Sequence, residues 1–321
     1  MTALLVRRVI RLLIVCAGVS LVTFSILHVS GDPAALMLPE AIEADRIALR
    51  KSLGFDQPLA TQFVRFLGNT ATGNFGNSFY HRKPALHLVV ERMPTTIMLT
   101  LAAMAVAILV AVPVGIYGAV RRNSVTDHLS TVVVFLGQSM PTFWTGIMLM
   151  LLFSVQWRLL PVSGWATWSA AVLPTITLGT FTAPLLLRIV RSSMLDVINL
   201  DYVRTARAKG VSEWRVILRH ALKNAALPLV TVTGLQFGLL LGGAVITESV
   251  FAVPGVGRLI VDGIRQLDFP VVQAAVFMLA LIVSRKRARR SRRTEKTSGR
   301  SCRSSTLILS ILVMSRSSPS G

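Results

Sequence analysis

The chain has 321 residues, of which 53% are hydrophobic and 15% charged, and its 34 Lys and Arg against 14 Asp and Glu give a formal charge of +20. A nucleic-acid-binding domain this basic would be richer in charge, a soluble domain could not cover so much apolar surface, and a disordered chain needs far more polar residues. An integral membrane protein remains. The charge is also uneven, because Arg285 to Gly321 holds eleven Lys or Arg against the single acid Glu295. Two cysteines, Cys16 and Cys302, offer neither a disulfide framework nor metal-ligand spacing, so no metal site is expected.

A helix crosses the hydrocarbon layer in about 20 apolar residues. Five stretches reach that length, at residues 9–29, 97–120, 129–157, 172–194 and 229–251. A sixth, 271–283, stops at Ser284-Arg285-Lys286-Arg287 after about 20 Å of helical rise. The expected fold is therefore an all-α integral membrane protein, a polytopic helical bundle of six spans with the last truncated.

Arg7, Arg8 and Arg11 precede a first apolar run that is too long for a secretory signal and lacks a cleavage site, so residues 1–30 read as an uncleaved anchor. These arginines, Arg121, Arg122 and the cluster from Arg188 to Lys223 fall on one side of the spans. Only Arg158, Arg258 and Arg265 lie in short loops on the other. That asymmetry predicts a multi-pass plasma-membrane protein with a cytoplasmic N-terminus. Residues 31–94, with an amphipathic stretch at 41–53, become an extracytoplasmic subdomain.

Pro113, Pro141 and Pro184 fall within spans, where neighbouring helices can re-satisfy the freed carbonyls. Gly234, Gly238 and Gly242 form a strip at four-residue spacing, suited to close helix contact within the bundle or against a second subunit. Gln138 and Ser139 beside Pro141, and Gln236 beside Gly234, are candidates for lining a translocation path, with interhelical hydrogen bonding as the alternative. Glu248 is either a pathway residue or a structurally paired one near the outer end of its span. His28 reads as interfacial. Arg188 and Arg191 most simply face cytoplasmic water or lipid phosphate.

The stretch from Asp196 to Pro228 is too polar to span and too patterned for a linker. Trp214, Ile217, Leu218, Ala221 and Leu222 recur at helical spacing, Gly210 is placed to turn the chain between two short helices, and Ser212 is a plausible cap for the second. A compact basic helical pair could dock on another protein or lie at lipid headgroups.

The residues DYVRTARAKGVSEWRVILRHALKNAALP (201–228) resemble the EAA loop of bacterial binding-protein-dependent ABC importer permeases of the dipeptide, oligopeptide, nickel and glutathione branch. So do GDPAALMLP (31–39), LGFDQPLATQFVRFLGN and TGNFGNSF within 53–79, GQSMPTFWTGIMLMLLFSVQWRLLPVSGW (137–165) and GGAVITESVFAVPGVGRLIVDGIRQLDFPVVQAAVF (242–277). The resemblance runs in order from about residue 5 to 283 and implies a type-1 permease domain at 95–283. Ala206 and Gly210 match the alanine and glycine of the EAA pattern, whereas Arg204 stands where the general motif has glutamate. The resemblance implies that the loop, with Asp201, Tyr202, Arg204, Ala206, Lys209, Gly210 and Trp214, couples this subunit to its ATPase. It implies as partners a second homologous permease, two ATP-binding subunits, an extracytoplasmic solute-binding protein and membrane lipid, with no nucleic acid. The solutes it implies are di- or oligopeptides, nickel chelates or glutathione, moved by alternating access.

The sequence contains no G-x-x-x-x-G-K-[ST], H-E-x-x-H or G-x-S-x-G motif. The chain is therefore expected to be no enzyme and to bind no cofactor, with Mg-ATP used by partner subunits. A self-contained secondary transporter would be favoured by inverted repeats and paired broken helices, and neither is detected. The family pattern ends abruptly at residue 283. The Arg/Ser-rich 284–321 that follows is either a basic tail held by charge to anionic lipid or nucleic acid, or the product of a shifted reading frame.

Overall fold

The computed structural model describes residues 56–282 continuously, together with scattered helical positions between 10 and 51. The anchor span at 9–29, His28, the amphipathic stretch at 41–53 and the tail at 284–321 lie wholly or mostly outside the described residues.

A short amphipathic helix, α1 (Leu59–Ala71), precedes a turn into α2 (Ala85–Val120). α2 runs for 36 residues, about 54 Å, so its first turns extend beyond the apolar run that begins at Ile97. No break occurs at the expected domain boundary at 94/95, and Pro94 and Pro113 are both carried inside the helix.

The third apolar run is not one helix. It divides into α3 (Val125–Ser139) and α4 (Thr142–Met150), the latter continuing as a π-turn over Leu151–Gln156. The cause is local, since a residue before proline is driven out of the helical region. Met140 sits at φ −84°, ψ 133° and Pro141 at φ −59°, ψ 138°, so the chain is extended for two residues in mid-span. α5 (Trp168–Ile198, 31 residues) follows, capped by Thr167, whose side chain accepts from the Ala170 N–H. Next come α6 (Asp201–Ala208) and the 38-residue α7 (Glu213–Val250), which contains a π-turn over Val216–Ala221. Two shorter helices close the described fold, α8 (Val256–Arg265) and α9 (Phe269–Ile282). Of these, α2, α5 and α7 are long and apolar enough to cross a membrane, while Thr142–Gln156 and α9 are apolar but shorter.

The main core lies between α2 and α5, and small residues create it. Ala103, Ala107, Ala111, Gly115 and Ala119 recur every four residues along α2, and all are buried. They let α5 approach so closely that a Cβ on Gly115 would lie 2.9 Å from Val190 Cβ, and one on Gly179 would lie 3.1 Å from the Ala103 carbonyl oxygen. This is the small-residue packing that membrane helices use where lipid supplies no hydrophobic drive for helix association. Gly234, Gly238 and Gly242 differ, since no atom of the described chain lies within 4 Å of a Cβ built on any of them.

A second cluster joins Phe75, Leu88, Val89, Met93, Leu259 and Val271, tying the start of α2 to α8 and α9. Asp268, buried before α9, reinforces it by accepting hydrogen bonds from the Ser78 hydroxyl and from the Phe79 (3.2 Å) and Tyr80 (3.4 Å) backbone N–H groups. The Gly76–Ala85 turn is thereby fixed against the end of the bundle, with Tyr80 exposed at its tip.

Candidate functional site

Between α5 and α7 the chain folds into a compact elbow. α6 buries Val203 and Ala206, which pack with Val216 at the start of α7 and with Val197 and Val211. Gly210 ends α6 at φ +75°, the left-handed region that other residues enter only at a cost. The Gly210 N–H donates to the Arg207 carbonyl (2.9 Å) and the Val211 N–H to the Ala206 carbonyl (3.3 Å). That pair of bonds, with Val211 folded onto the apolar cluster, is a Schellman C-terminus. Ala206 and Gly210, the two residues matched to the EAA pattern, are therefore the packed floor and the turn of one structural unit.

Side chains brace the elbow from outside. The Arg207 guanidinium donates to both Glu213 oxygens, at 2.7 Å and 3.1 Å, and holds the Glu213 carboxyl below the ordinary carboxylate range. Arg207 also reaches the Ile198 carbonyl at 3.4 Å, tying α6 to the end of α5. Both charged side chains are substantially exposed, so the pair contributes orientation more than stability, at most about 1 kcal/mol. Asn224 donates to the Tyr202 hydroxyl at 2.8 Å, joining α6 to α7.

Three details depart from the sequence reading. The second helix of the elbow is not short but forms the first turns of α7, so the elbow is rigidly continuous with a spanning helix. Ser212 occupies the cap position, but its side chain makes no capping bond. Trp214, grouped with Ile217 and Ala221 by periodicity, points away from them. Ile217 and Ala221 are buried whereas Trp214 is 68% exposed. The π-turn over Val216–Ala221 shifts the register enough to leave Trp214 and Leu218 outside. Leu200 and Tyr202 are exposed on the elbow as well, and so are Arg204 and Lys209. Asp201 stands in the first turn of α6, where a carboxylate suits the helix dipole.

The other candidate residues are spread along the bundle. Gln138 and Ser139 are exposed beside the Met140–Pro141 break, and Gln236 is half-buried on α7. Glu248 has no exposed surface. Its carboxylate accepts from the Thr96 hydroxyl (2.7 Å) and the Arg258 backbone N–H (3.0 Å), and Thr96 Oγ1 in turn accepts from the Val256 N–H (2.8 Å). Glu248 thus satisfies donors at the start of α8, where helix N–H groups lack internal partners. A groove of about 710 Å³ between α2 and α5, lined by Met98, Leu101, Val106, Trp165, Trp168 and Ile176 among others, is apolar and includes none of the candidate pathway residues.

Arg191, expected from its position at a span end to face water or lipid, is only about a third exposed. It turns inward to Asp127, pairing through Nε–Oδ1 (2.9 Å) and Nη2–Oδ2 (2.7 Å). Sequence reasoning missed this pair, because Asp127 lies 64 residues away and carries no motif.

The described residues form a polytopic helical membrane protein with a braced elbow between two long spanning helices. Residues 111–284 match the family model "Binding-protein-dependent transport system inner membrane component", and residues 1–100 match its N-terminal companion. The chain belongs to this family and is the inner-membrane permease component of a binding-protein-dependent ABC importer. It is 43% identical over 277 residues to the glutathione transport system permease protein GsiC of Salmonella paratyphi A, covering 86% of this chain and 90% of that one. It is 41% identical over 278 residues to the protein of the same name from Escherichia coli K12, covering 86% and 91%. A solved structure titled as an inward-facing conformation of the MetNI methionine ABC transporter aligns at 17% identity and TM-score 0.49, over 63% of this chain and 95% of that one.

Proposed function

We propose that this permease moves glutathione or a short peptide across the membrane, with the 196–228 elbow seated on an ATP-binding subunit. The observation that carries the reading is the elbow itself. Its interior is closed by Val203, Ala206 and Val216, yet it presents Trp214, Tyr202, Leu200 and Leu218 outward among basic residues. An exposed surface of this composition favours a protein partner over solvent. The elbow's continuity with α5 and α7 lets a push on it reach both spanning helices. Mg-ATP is used by the partner, and the N-terminus lies on the elbow's cytoplasmic side.

A second, homologous permease completes the path. The Gly234–Gly238–Gly242 strip supports this, since Gly234 and Gly242 are exposed and a Cβ added at any of the three meets nothing within 4 Å among the described residues, so a partner helix could approach closely. Gln138, Ser139 and Gln236 are the polar groups offered to the path between the two subunits. Glu248 instead holds α8 in place. The braced turn around Tyr80, at the opposite end from the elbow, faces the solute-binding protein.

The test is purification of the chain from native membranes in mild detergent, followed by mass spectrometry of everything retained. Co-recovery of a second permease and an ATPase supports the reading, and uptake of radiolabelled glutathione or alanyl-alanine by the reconstituted complex identifies the solute. Isolation of the intact chain alone would refute it.

A further inference from the structure

The Asp127–Arg191 pair lies at the elbow end of the bundle and touches four segments at once. Asp127 belongs to the first turn of α3 and is buried, its side chain only 2% accessible. Its backbone N–H donates to the Ser124 side chain (3.2 Å), and its Oδ2 also accepts from the Asn123 N–H (3.2 Å), so one carboxylate organises the α2–α3 turn. Asn123 takes φ +62° within that turn, a conformation asparagine tolerates better than most residues. Gly118 on α2 is packed against the pair so tightly that a Cβ there would lie 2.8 Å from Asp127 Oδ1 and 3.5 Å from Arg191 Cδ.

Arg191 stands two turns before the end of α5. After Ile198 the chain enters α6 within three residues, and Arg207 binds the Ile198 carbonyl. Val197 packs into the elbow cluster. The last turns of α5 therefore carry the elbow at one end and the ion pair at the other.

We propose that Asp127 and Arg191 are positioning residues for energy coupling: their two-point pair locks the elbow-bearing end of α5 to α2 and α3, so that displacement of the elbow moves all three helices as one body. The geometry suits this task better than packing alone. A guanidinium fork on a carboxylate adds a directional two-point constraint to the close packing of α2 on α5. The pair joins α5 to α3, the helix that ends at the Met140–Pro141 break beside Gln138 and Ser139. Motion of the elbow is thus delivered to the broken segment of the bundle. This inference deepens the permease reading and rests on it.

The test compares wild type, Asp127→Asn and Arg191→Lys in the complex that co-purifies with the chain, reconstituted in proteoliposomes with its solute-binding protein supplied. ATP hydrolysed per radiolabelled glutathione transported is measured, with alanyl-alanine as a second probe, alongside the yield of assembled complex. Asp127→Asn keeps the shape of the side chain and an acceptor for the Asn123 N–H, while Arg191→Lys keeps the charge and loses the fork. The expected result is normal assembly with about a tenfold rise in ATP consumed per solute for Asp127→Asn, within the usual range of intersite coupling, and a smaller rise for Arg191→Lys. An unchanged ratio in both variants overturns the inference, whether the yield of complex is normal or reduced, because a merely structural lock alters yield and not stoichiometry. Failure of the permease reading is separately visible, as absence of ATP-dependent uptake of either probe by the wild type.

Discussion

Two glycines on spanning helices should respond to the same substitution with opposite signs. At Gly115, an added Cβ meets Val190 Cβ and Cγ1 at 2.9 Å and the Leu187 carbonyl oxygen at 3.2 Å. Carbon atoms prefer 3.5–4.0 Å, so the α2–α5 seam must open by about half an ångström or more against close-packed backbone. Overpacking of this kind costs about 1–3 kcal/mol, and the improved helix propensity of alanine returns about 1 kcal/mol at most. At Gly242 no atom of the described residues lies within 4 Å of an added Cβ, so only the propensity gain applies. Gly115→Ala should therefore lower the midpoint of thermal unfolding of the purified subunit in detergent, while Gly242→Ala should leave it unchanged or raise it slightly. Enlarging the second site to Gly242→Leu should still spare the isolated subunit but reduce retention of the partner permease in a pull-down. Equal destabilisation of the isolated subunit by both alanine variants would refute the reasoning, since it would mean the strip on α7 packs within this chain after all. Undiminished recovery of the partner with Gly242→Leu would remove the strip from the subunit interface.

The elbow yields a second prediction. Gly210→Val has no clash among the described residues but must hold φ +75°, a strain of about 1–2 kcal/mol, and Lys209→Glu reverses an exposed charge. Both should uncouple ATP hydrolysis from uptake with membrane insertion intact, and normal uptake by both would deny the elbow its role. Glu248→Ala strands the Thr96 hydroxyl and the Arg258 N–H, each worth about 1–3 kcal/mol when buried and unpaired, so a clear fall in thermal stability is expected. Stability equal to wild type would show that water takes the carboxylate's place. Asp268→Ala frees the turn around Ser78–Tyr80, which should become markedly more sensitive to limited proteolysis near His81–Lys83 while the spanning helices stay protected. An unchanged cleavage rate would mean that Phe75 and the α2–α9 cluster alone hold that turn.

Much of the architecture was legible in the residues themselves. Hydropathy alone determines that α2, α5 and α7 span, because the hydrocarbon layer demands about 20 apolar residues and internal satisfaction of every backbone polar group. The elbow was legible for a related reason. A polar stretch with helical periodicity, interrupted by one glycine, has few ways to fold at a membrane surface, and Gly210 turns the chain where its lack of a Cβ suggests. Local chemistry also contains the Pro141 break, although a continuous apolar run obscured it.

What the sequence could not assign is which face of a helix meets which neighbour. Gly234, Gly238 and Gly242 and the Ala103–Ala107–Ala111–Gly115–Ala119 stripe have the same four-residue spacing, yet among the described residues the latter is buried throughout while Gly234 and Gly242 are exposed. Spacing defines a stripe, but only three-dimensional proximity supplies what lies against it. The same holds for charge. Asp127 draws no reading, Arg191 reads as an interfacial base, and Glu248 stands open between pathway and structural pairing, because partners 64 and 152 residues distant leave no periodic trace along the chain. Period and hydropathy are properties of neighbours in sequence, whereas a buried carboxylate is stabilised by whichever donors the fold carries to it, and only the tertiary structure decides those.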